Sequence, residues 1–218
     1  MLTNCKILLF TRYPEKGKTK TRLIGELGAD GAALLHKKLT ERVFMQASLL
    51  KQRSGIETIV YFCGGSSPKM TSWLGPIHCV EQMSGDLGQK MRSAFEHCFS
   101  GGAETAILIG SDIPDISAEL LQQAFNALIT KDVVIGPSRD GGYYLIGMAA
   151  GAARICRPEG MPPLLPLLFD KMKWSTEELF NNTMHRLESA GYETAHLPTL
   201  RDIDIPADLP FAKEKGLL

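Results

Sequence analysis

The chain has 218 residues, of which 44% are hydrophobic and 22% charged, and 24 basic residues balance 24 acidic ones to a net charge of zero. This size and composition are typical of one globular domain over residues 1–218, and the neutral charge excludes the broad basic surface that general nucleic-acid binding needs. Five scattered cysteines without a C-x-x-C pair, and no apolar run of about 18 residues, predict a cytoplasmic protein without a disulfide framework, a zinc site or a membrane span.

Seven short segments rich in β-branched and apolar residues are predicted to be strands. They cover residues 6–10, 58–62, 77–81, 105–109, 133–135, 143–148 and 194–197. The first, second, fourth and fifth segments are continuously apolar, which is typical of strands buried on both faces.

Helical periodicity separates these strands. Apolar residues recur at three- and four-residue steps in segments 30–52, 87–99, 117–129 and 175–190, and Ser117 and Asp30 are suitable residues for helix starts. A last helix is predicted to start at Pro206 to Asp208, whereas the proline-rich segment 157–169 is predicted to be a loop or a broken helix. The alternation of strands and helices predicts an α/β fold, with a doubly wound, mostly parallel central sheet flanked by helices.

A cluster of positive charge follows the first predicted strand. Five cations lie within eleven residues against the single acid Glu15: Arg12, Lys16, Lys18, Lys20 and Arg22. Ligands of α/β sheets bind beyond the carboxyl ends of the strands, so a phosphate or diphosphate is the natural counter-ion; the alternative is a solvated, mobile loop. The segment does not match the P-loop pattern, because Arg12 stands where that pattern requires its first glycine.

Acidic residues follow the fourth predicted strand and recur near the carboxyl terminus. Asp112 in "GSDIPDIS" is placed to hold a divalent cation through oxygen, although a turn or cap aspartate is an equal alternative. Asp202 and Asp204 are spaced by two and face one side of an extended segment, so either could supply a second metal ligand.

Two glycine-containing turns complete the set of candidates. In "GPSRDGGYYLIG", Asp140, Gly141 and Gly142 predict a hairpin turn, and Asp140 is the candidate base or ligand on the acceptor side. In "SGDLGQKM", Gly85 and Asp86 precede a helix whose amino terminus would favour an anion, but Asp86 could equally be its N-cap alone.

Together these segments resemble the glycosyltransferase-A-type nucleotide-diphospho-sugar transferases. The resemblance is greatest to the small bacterial glycosyltransferases associated with radical-SAM or selenium-related proteins. It covers nearly the whole chain, through "PEKGKTKTRL", "SGDLGQKM", "GSDIPDIS", "PSRDGGYYLIG", "WSTEELF" and "LRDIDIPADL".

The resemblance implies a nucleotide-sugar site that a divalent metal, Mg²⁺ or Mn²⁺, usually assists. Lys20 and Arg22 correspond to diphosphate contacts and Asp112 to the metal ligand. Asp204 is the candidate second ligand from its position in the acidic carboxyl-terminal segment. Where the family fold usually has D-x-D, this chain has Gly110-Ser111-Asp112, with one carboxylate only. The resemblance also implies that Gly17 makes room for the diphosphate and that Asp140, Gly141, Gly142 and Tyr143 line the acceptor side. Further candidates on the nucleotide side are Arg12 and Thr21 in the basic loop and Gly85 and Asp86 at the helix start.

The expected activity is therefore transfer of a sugar from a nucleoside-diphosphate donor to a small-molecule or lipid-linked acceptor. A second hypothesis is nucleotidyl transfer from an NTP to a phosphorylated small molecule, as in guanylyltransferases, which needs a similar basic loop and acid. A third is a nucleotide-binding module without catalysis, which the missing second acid favours.

Overall fold

A computed structural model describes residues 4–154 and 161–218, and in it seven strands form one sheet. The strands are β1 (Cys5–Arg12), β2 (Glu57–Cys63), β3 (His78–Glu81), β4 (Thr105–Gly110), β5 (Val133–Pro137), β6 (Tyr143–Ala149) and β7 (Thr194–His196). All seven predicted strands are confirmed, with ends within two residues of the prediction. Their order is β3-β2-β1-β4-β6-β5-β7, and only β6 runs antiparallel to its neighbours, so the sheet is mostly parallel as expected.

The sheet reverses its winding direction between β1 and β4. From β1 the chain adds β2 and β3 on one side, and β4 then returns to the other side of β1. Phe10 pairs with Gly110, so the loops that follow β1 and β4 leave the same edge side by side. Such a reversal is where open α/β sheets form their ligand crevice.

Eight α-helices connect or flank the strands in the described part of the chain. They are α1 (Ile24–Ser54), α2 (Ser67–Leu74), α3 (Leu87–Ser100), α4 (Ala118–Ala127), α5 (Ala150–Arg154), α6 (Leu164–Phe169), α7 (Leu179–Ser189) and α8 (Leu209–Glu214). Short 3₁₀ helices at Thr21–Leu23 and Pro206–Asp208 precede α1 and α8. None of the helices in residues 4–154 and 161–218 is long and apolar enough to cross a membrane.

Three helical predictions differ from the structure in their bounds. α1 starts at Ile24, six residues before the predicted Asp30, but the non-helical backbone of Gly28 (φ 68°) kinks it there, so the longer part of the helix begins close to the predicted start. α7 starts at Leu179, four residues after the predicted start at 175. Within segment 157–169, which was predicted to be a loop or a broken helix, residues 164–169 form the short helix α6. Pro166 is tolerated there because it lies in the first turn, where no backbone N–H is required. Residues 157–160 lie outside the described residues, as does Cys156.

Apolar clusters cover both faces of the sheet. Leu8 and Phe10 of β1 pack on one side with α3, α6 and α7, and Ile7 and Leu9 pack on the other with α1 and α4. A third, smaller cluster joins the start and middle of α1 to the carboxyl-terminal region: Leu23, Ala32, Leu35, Leu39, Ile203, Ala212 and Leu217. This third cluster brings the acidic segment near the carboxyl terminus next to the basic loop.

Candidate functional site

The basic loop after β1 is held in shape by its own hydrogen bonds. The buried Thr19 hydroxyl donates to the Glu15 carbonyl (2.7 Å) and accepts from the Glu15 amide (3.0 Å). Gly17 makes the turn with a left-handed φ of 74°, and the space beside its Cα is open. The Arg12 guanidinium donates to the Lys18 carbonyl (3.3 Å), so the loop folds back along the end of β1. Thr21 is exposed at the start of the 3₁₀ helix.

Lys20 turns inward from this loop and ends between three oxygen atoms. Its backbone is left-handed (φ 49°), and its side chain is only 4% exposed. The ammonium lies 2.9 Å from Asp112 Oδ1 and 3.4 Å from Asp204 Oδ1, and it donates to the Ile203 carbonyl at 2.6 Å. The structure therefore brings the cationic loop and the two predicted acids together.

Both acids keep an outward surface. The Asp112 side chain is 45% exposed although its Oδ1 is buried, so the opposite side of the carboxylate faces solvent. Asp204 is 36% exposed, and its Oδ2 accepts from Arg22 at 2.6 Å. The Ile203 amide donates to the Asp112 carbonyl (3.1 Å), which fixes the carboxyl-terminal segment against the end of β4.

These contacts change the pKa values of the partners. Burial acts to raise the pKa of Asp112, but the Lys20 ammonium and His36 outweigh it and hold this pKa well below the usual range. Burial acts to lower the pKa of Lys20, but Asp112 and Asp204 outweigh it and raise this pKa. Both groups are therefore ionised at neutral pH.

His36 of α1 lies beneath this charge cluster and was not identified from the sequence. Its buried ring donates from Nε2 to the Arg12 carbonyl (2.9 Å), and Nδ1 faces Asp112 Oδ1 at 3.7 Å. Thr40, one turn further along α1, is fully buried and bonds Thr11 (3.0 Å). His36 and Thr40 are spaced by four, so they lie on one face of α1, next to its apolar positions. This spacing is the sequence signal that could have identified them.

A cleft of about 250 Å³ connects this cluster to the β5–β6 hairpin. Its walls include Arg22 and Asp204 on one side, Arg139 and Asp140 of the hairpin, and Arg201 and Asp202 between them. Burial raises the pKa of Asp202, and the nearby Asp140 carboxylate adds to this effect. Asp140, the predicted acceptor-side residue, therefore lines the same cleft as the cationic loop.

The hairpin itself is shaped by Asp140 and Gly141. Asp140 Oδ1 accepts from the Gly142 amide (3.0 Å) and from the Ser138 hydroxyl, a turn that fixes the carboxylate. Gly141 has φ 88°, and a methyl group there would overlap the backbone of Glu177. Only glycine therefore fits at this position. The Tyr143 hydroxyl is buried and has no hydrogen-bond partner among the described residues, and burial raises its pKa.

Gly85 and Asp86 form the start of α3. Asp86 accepts from the Gln89 amide (2.8 Å) while Gln89 accepts from the Asp86 amide (3.0 Å), which is a complete capping box. In the described part of the chain, no hydrogen bond or ion pair joins Asp86 to the Lys20 cluster. A side chain at Gly88, in the first turn of α3, would overlap the Phe169 carbonyl oxygen and the Trp174 ring.

Asp112 and Asp204 are the residues suited to hold a metal. Carboxylate oxygens suit Mg²⁺ or Mn²⁺, and these two acids already share one positive charge, the Lys20 ammonium. Within residues 4–154 and 161–218 no group of three or more His, Cys, Asp or Glu side chains is arranged to hold a metal by itself. Mg²⁺ is typically bound by one or two carboxylates, with substrate phosphates and waters as its other ligands. The residues present therefore fit such a cation.

Comparison with known proteins assigns the family. The model of a family described as uncharacterized proteins conserved in bacteria (DUF2064) matches residues 46–176, more than half of the chain, and the chain therefore belongs to this family. A search of curated proteins finds no match. A candidate nucleotide-diphospho-sugar transferase from Desulfovibrio desulfuricans G20 is similar in structure, with a TM-score of 0.81 and 33% identity, over 94% of this chain and 84% of that one.

More distant structures share the fold. The 4-diphosphocytidyl-2C-methyl-D-erythritol synthase of Anaerococcus prevotii has a TM-score of 0.59 at 14% identity, over 100% of this chain and 98% of that one. Rv0371c of Mycobacterium tuberculosis, solved in complex with manganese, has a TM-score of 0.54 at 15% identity, over 97% and 99% of the two chains. The family match and the similarity at 33% identity confirm the predicted relationship to nucleotide-diphospho-sugar transferases and the predicted enzyme class, a transferase. The predicted α/β fold is confirmed by these and by the more distant structures.

Proposed function

We propose that this protein transfers a sugar from a nucleoside-diphosphate donor to an acceptor at the cleft between the basic loop and the β5–β6 hairpin. The observation that carries this proposal is the meeting of Lys20 and Arg22 with Asp112 and Asp204 where the sheet reverses its winding. Cations for a diphosphate and carboxylates for a divalent metal then lie at one edge, and the candidate sugar transferase at 33% identity supports this donor class.

The donor diphosphate is proposed to lie over the basic loop. Arg22 is 67% exposed and can turn to phosphate oxygens, while the open backbone at Gly17 lets the diphosphate approach closely. Arg12, Thr21, Gly85 and Asp86 stay predicted contacts of the nucleotide. Asp112, with Asp204, would hold Mg²⁺ or Mn²⁺, which supplies Lewis-acid stabilisation of the departing diphosphate when it is bound.

The acceptor is proposed to enter from the hairpin side of the cleft. Only Oδ1 of Asp140 is hydrogen-bonded in the described part of the chain, so its other oxygen is available to take the proton of an acceptor hydroxyl. As that hydroxyl oxygen attacks the anomeric carbon, the bond to the diphosphate breaks, and Arg22 stabilises the negative charge of the leaving group. Gly141, Gly142 and Tyr143 would border the acceptor.

Nucleotidyl transfer is the second candidate function. It is favoured by the shared fold of the A. prevotii synthase and of a CMP-2-keto-3-deoxy-manno-octonic acid synthetase solved with CTP, at a TM-score of 0.51 and 14% identity. In that reaction the acceptor phosphate would attack the α-phosphate of an NTP, and pyrophosphate would leave from the same basic loop.

Product analysis distinguishes the two reactions. The protein is incubated with Mn²⁺ and either a panel of nucleoside-diphosphate sugars or the four NTPs with phosphorylated sugars and alcohols. Released nucleoside diphosphate supports sugar transfer, and pyrophosphate supports nucleotidyl transfer. Asp112→Asn should abolish either product, whereas release of neither product by the wild type, together with no nucleotide binding, would contradict the proposal.

Arg22 gives a sharper test of the donor site. Arg22→Ala should weaken nucleoside-diphosphate binding by about 10- to 100-fold, because a charge-assisted hydrogen bond contributes ~1.5–3 kcal/mol. Lys16→Ala is the matched control, since Lys16 belongs to the same loop but pairs with Asp30 outside the cleft. Equal affinities of the two variants in titration calorimetry would mean that Arg22 makes no specific contact with the diphosphate and that the loop attracts it only through its total positive charge.

A further inference from the structure

We propose that the Lys20 ammonium is an internal counter-ion that occupies the cation site of Asp112 and Asp204 until a metal arrives with the donor diphosphate. This inference rests on the proposed function and assigns Lys20 a positioning role. Lys20 would then control when the metal binds.

The geometry places Lys20 where a cation between the two acids would lie. Its Nζ contacts Oδ1 of both Asp112 and Asp204, and the third contact is the Ile203 carbonyl oxygen. Two carboxylates and a backbone carbonyl are oxygen ligands that a hard divalent cation also prefers. With its side chain 4% exposed, Lys20 does not face the open cleft in this state.

The local charge balance explains why a metal would bind poorly on its own. Lys20 and Arg22 together neutralise the two carboxylates, and both oxygens of Asp204 are already paired, Oδ1 with Lys20 and Oδ2 with Arg22. A divalent cation that enters alone therefore meets an ammonium at the same oxygens and is repelled by it. A cation that carries a diphosphate brings negative charge with it, so Lys20 and Arg22 can exchange their carboxylate partners for phosphate oxygens.

This exchange of partners reconciles the predicted role of Lys20 with the contacts that it makes in the structure. Lys20 was predicted to contact the diphosphate, whereas the structure pairs it with the predicted metal ligands. If the ammonium moves from the carboxylates to the phosphates as the metal enters, both contacts occur at different stages. The left-handed backbone of Lys20 (φ 49°) directs the side chain to this shared position.

The test measures Mn²⁺ binding to the full chain without nucleotide, from the electron paramagnetic resonance signal of free Mn²⁺. Lys20→Met keeps the length of the side chain and removes its charge, so it should bind Mn²⁺ more tightly than the wild type, on the order of tenfold. Lys18→Met is the control, because Lys18 is 65% exposed and pairs with Glu15 within the same loop, and its Mn²⁺ affinity should equal that of the wild type.

A second variant, Lys20→Gln, keeps the test valid if Lys20→Met is too unstable to be measured. Lys20→Gln keeps a hydrogen-bond donor toward the carboxylates without the charge and should also bind Mn²⁺ more tightly, with a larger increase of its melting temperature by Mn²⁺ than the wild type shows. Equal or weaker Mn²⁺ binding by the neutral variants would overturn the role of Lys20, even if the wild type transfers sugar. If no nucleotide binds but the neutral variants bind Mn²⁺ more tightly, the proposed function fails while the counter-ion role stands.

Discussion

A buried lysine beside two carboxylates dominates the site at the scale of single residues. Taking an ammonium out of water is costly unless its charge and its N–H groups find partners, and Lys20 finds three oxygens. Removing one member of such a group leaves the others uncompensated, so the members depend on one another for stability. The opposite pKa changes of Asp112 and Lys20 reflect this mutual stabilisation.

The pairing of Asp112 predicts a pH-dependent stability. Because its pKa is lower in the folded state than the unfolded value of about 3.9, its contribution is complete above about pH 4 and is lost as the pH falls further through the folded-state pKa. Asp112→Asn should therefore be less stable than the wild type at pH 7, and the difference should shrink below about pH 4. Urea unfolding of both proteins across this range measures it.

A difference in unfolding free energy that stays constant from pH 7 to pH 3 would contradict the prediction. It would mean that the Asp112 carboxylate gains nothing from Lys20 and that the variant loses stability for reasons of packing alone.

Gly141 provides a second prediction at this scale. Gly141→Ala should lower the free energy of unfolding by about 2–4 kcal/mol, because it combines a left-handed φ with overlap against Glu177. Gly55→Ala is the control, since Gly55 has φ 72° but open space around it, and should cost only about 1 kcal/mol. Equal losses in thermal unfolding would show that the close approach to Glu177 relaxes freely.

Some site residues could be predicted from the sequence and others could not. Lys20, Arg22 and Asp112 were recognisable because they follow strands that were predicted to end at one edge of the sheet. Asp204 was recognisable from its spacing of two with Asp202 in an extended segment. The Ile203 carbonyl has no side-chain signal, since every residue has such an oxygen. His36 lies within a helix whose neighbouring positions are apolar, and its spacing of four from the buried Thr40 was the one signal that the sequence carried for it.

At the scale of secondary-structure elements, Asp86 at the start of α3 is either only the N-cap of the helix or also a contact of the nucleotide. One pair of variants distinguishes these two interpretations. Asp86→Ala removes the cap and should cost about 1 kcal/mol in unfolding free energy, whereas Asp86→Asn keeps a good cap and should cost little. If Asp86 is a cap only, nucleotide affinity measured by calorimetry should be unchanged in the Asn variant. A clear change in affinity with unchanged stability would instead make Asp86 a nucleotide contact.

The strands were predicted more accurately than the helices for a physical reason. Buried parallel strands such as β1, β2 and β4 are continuous runs of mostly β-branched and apolar residues, a pattern that is visible without knowing where the element begins. Short helices such as α2 and α6 contain proline in the first turn, which reads as a helix breaker unless the position of the helix start is already known.

At the scale of the whole molecule, the third apolar cluster holds the acidic segment against the loop. Ile203 is fully buried there, between two of the acids that face the cleft. Ile203→Ala should lower the free energy of unfolding by about 2–4 kcal/mol and also weaken Mn²⁺ binding, because the segment that carries Asp204 loses its anchor.

Leu217→Ala is the matched control, since Leu217 belongs to the same cluster but carries no acid beside it. It should lower stability without a comparable loss of Mn²⁺ binding at a temperature where both variants are folded. If both lose Mn²⁺ binding equally, general loosening of the cluster, rather than the position of Ile203, controls the site.

The neutral charge of the molecule is also explained at this scale. Four of the five cations of the basic loop have acidic partners within the fold: Lys16 with Asp30, Lys18 with Glu15, and Lys20 and Arg22 with Asp204. A concentrated positive segment is thus compatible with a total charge of zero, because the paired acids come partly from the loop and its neighbouring helix and partly from the distant carboxyl-terminal segment.

Gly88 in the first turn of α3 and Gly141 in the β5–β6 hairpin both lie directly against the stretch of chain from the end of α6 to the start of α7: Gly88 against Phe169 and Trp174, and Gly141 against Glu177. This one stretch of chain therefore fixes the distance between the start of α3 and the β5–β6 hairpin, which carry proposed donor and acceptor contacts. Lengthening it by one residue should change that distance without replacing any side chain of the Lys20, Asp112 and Asp204 cluster.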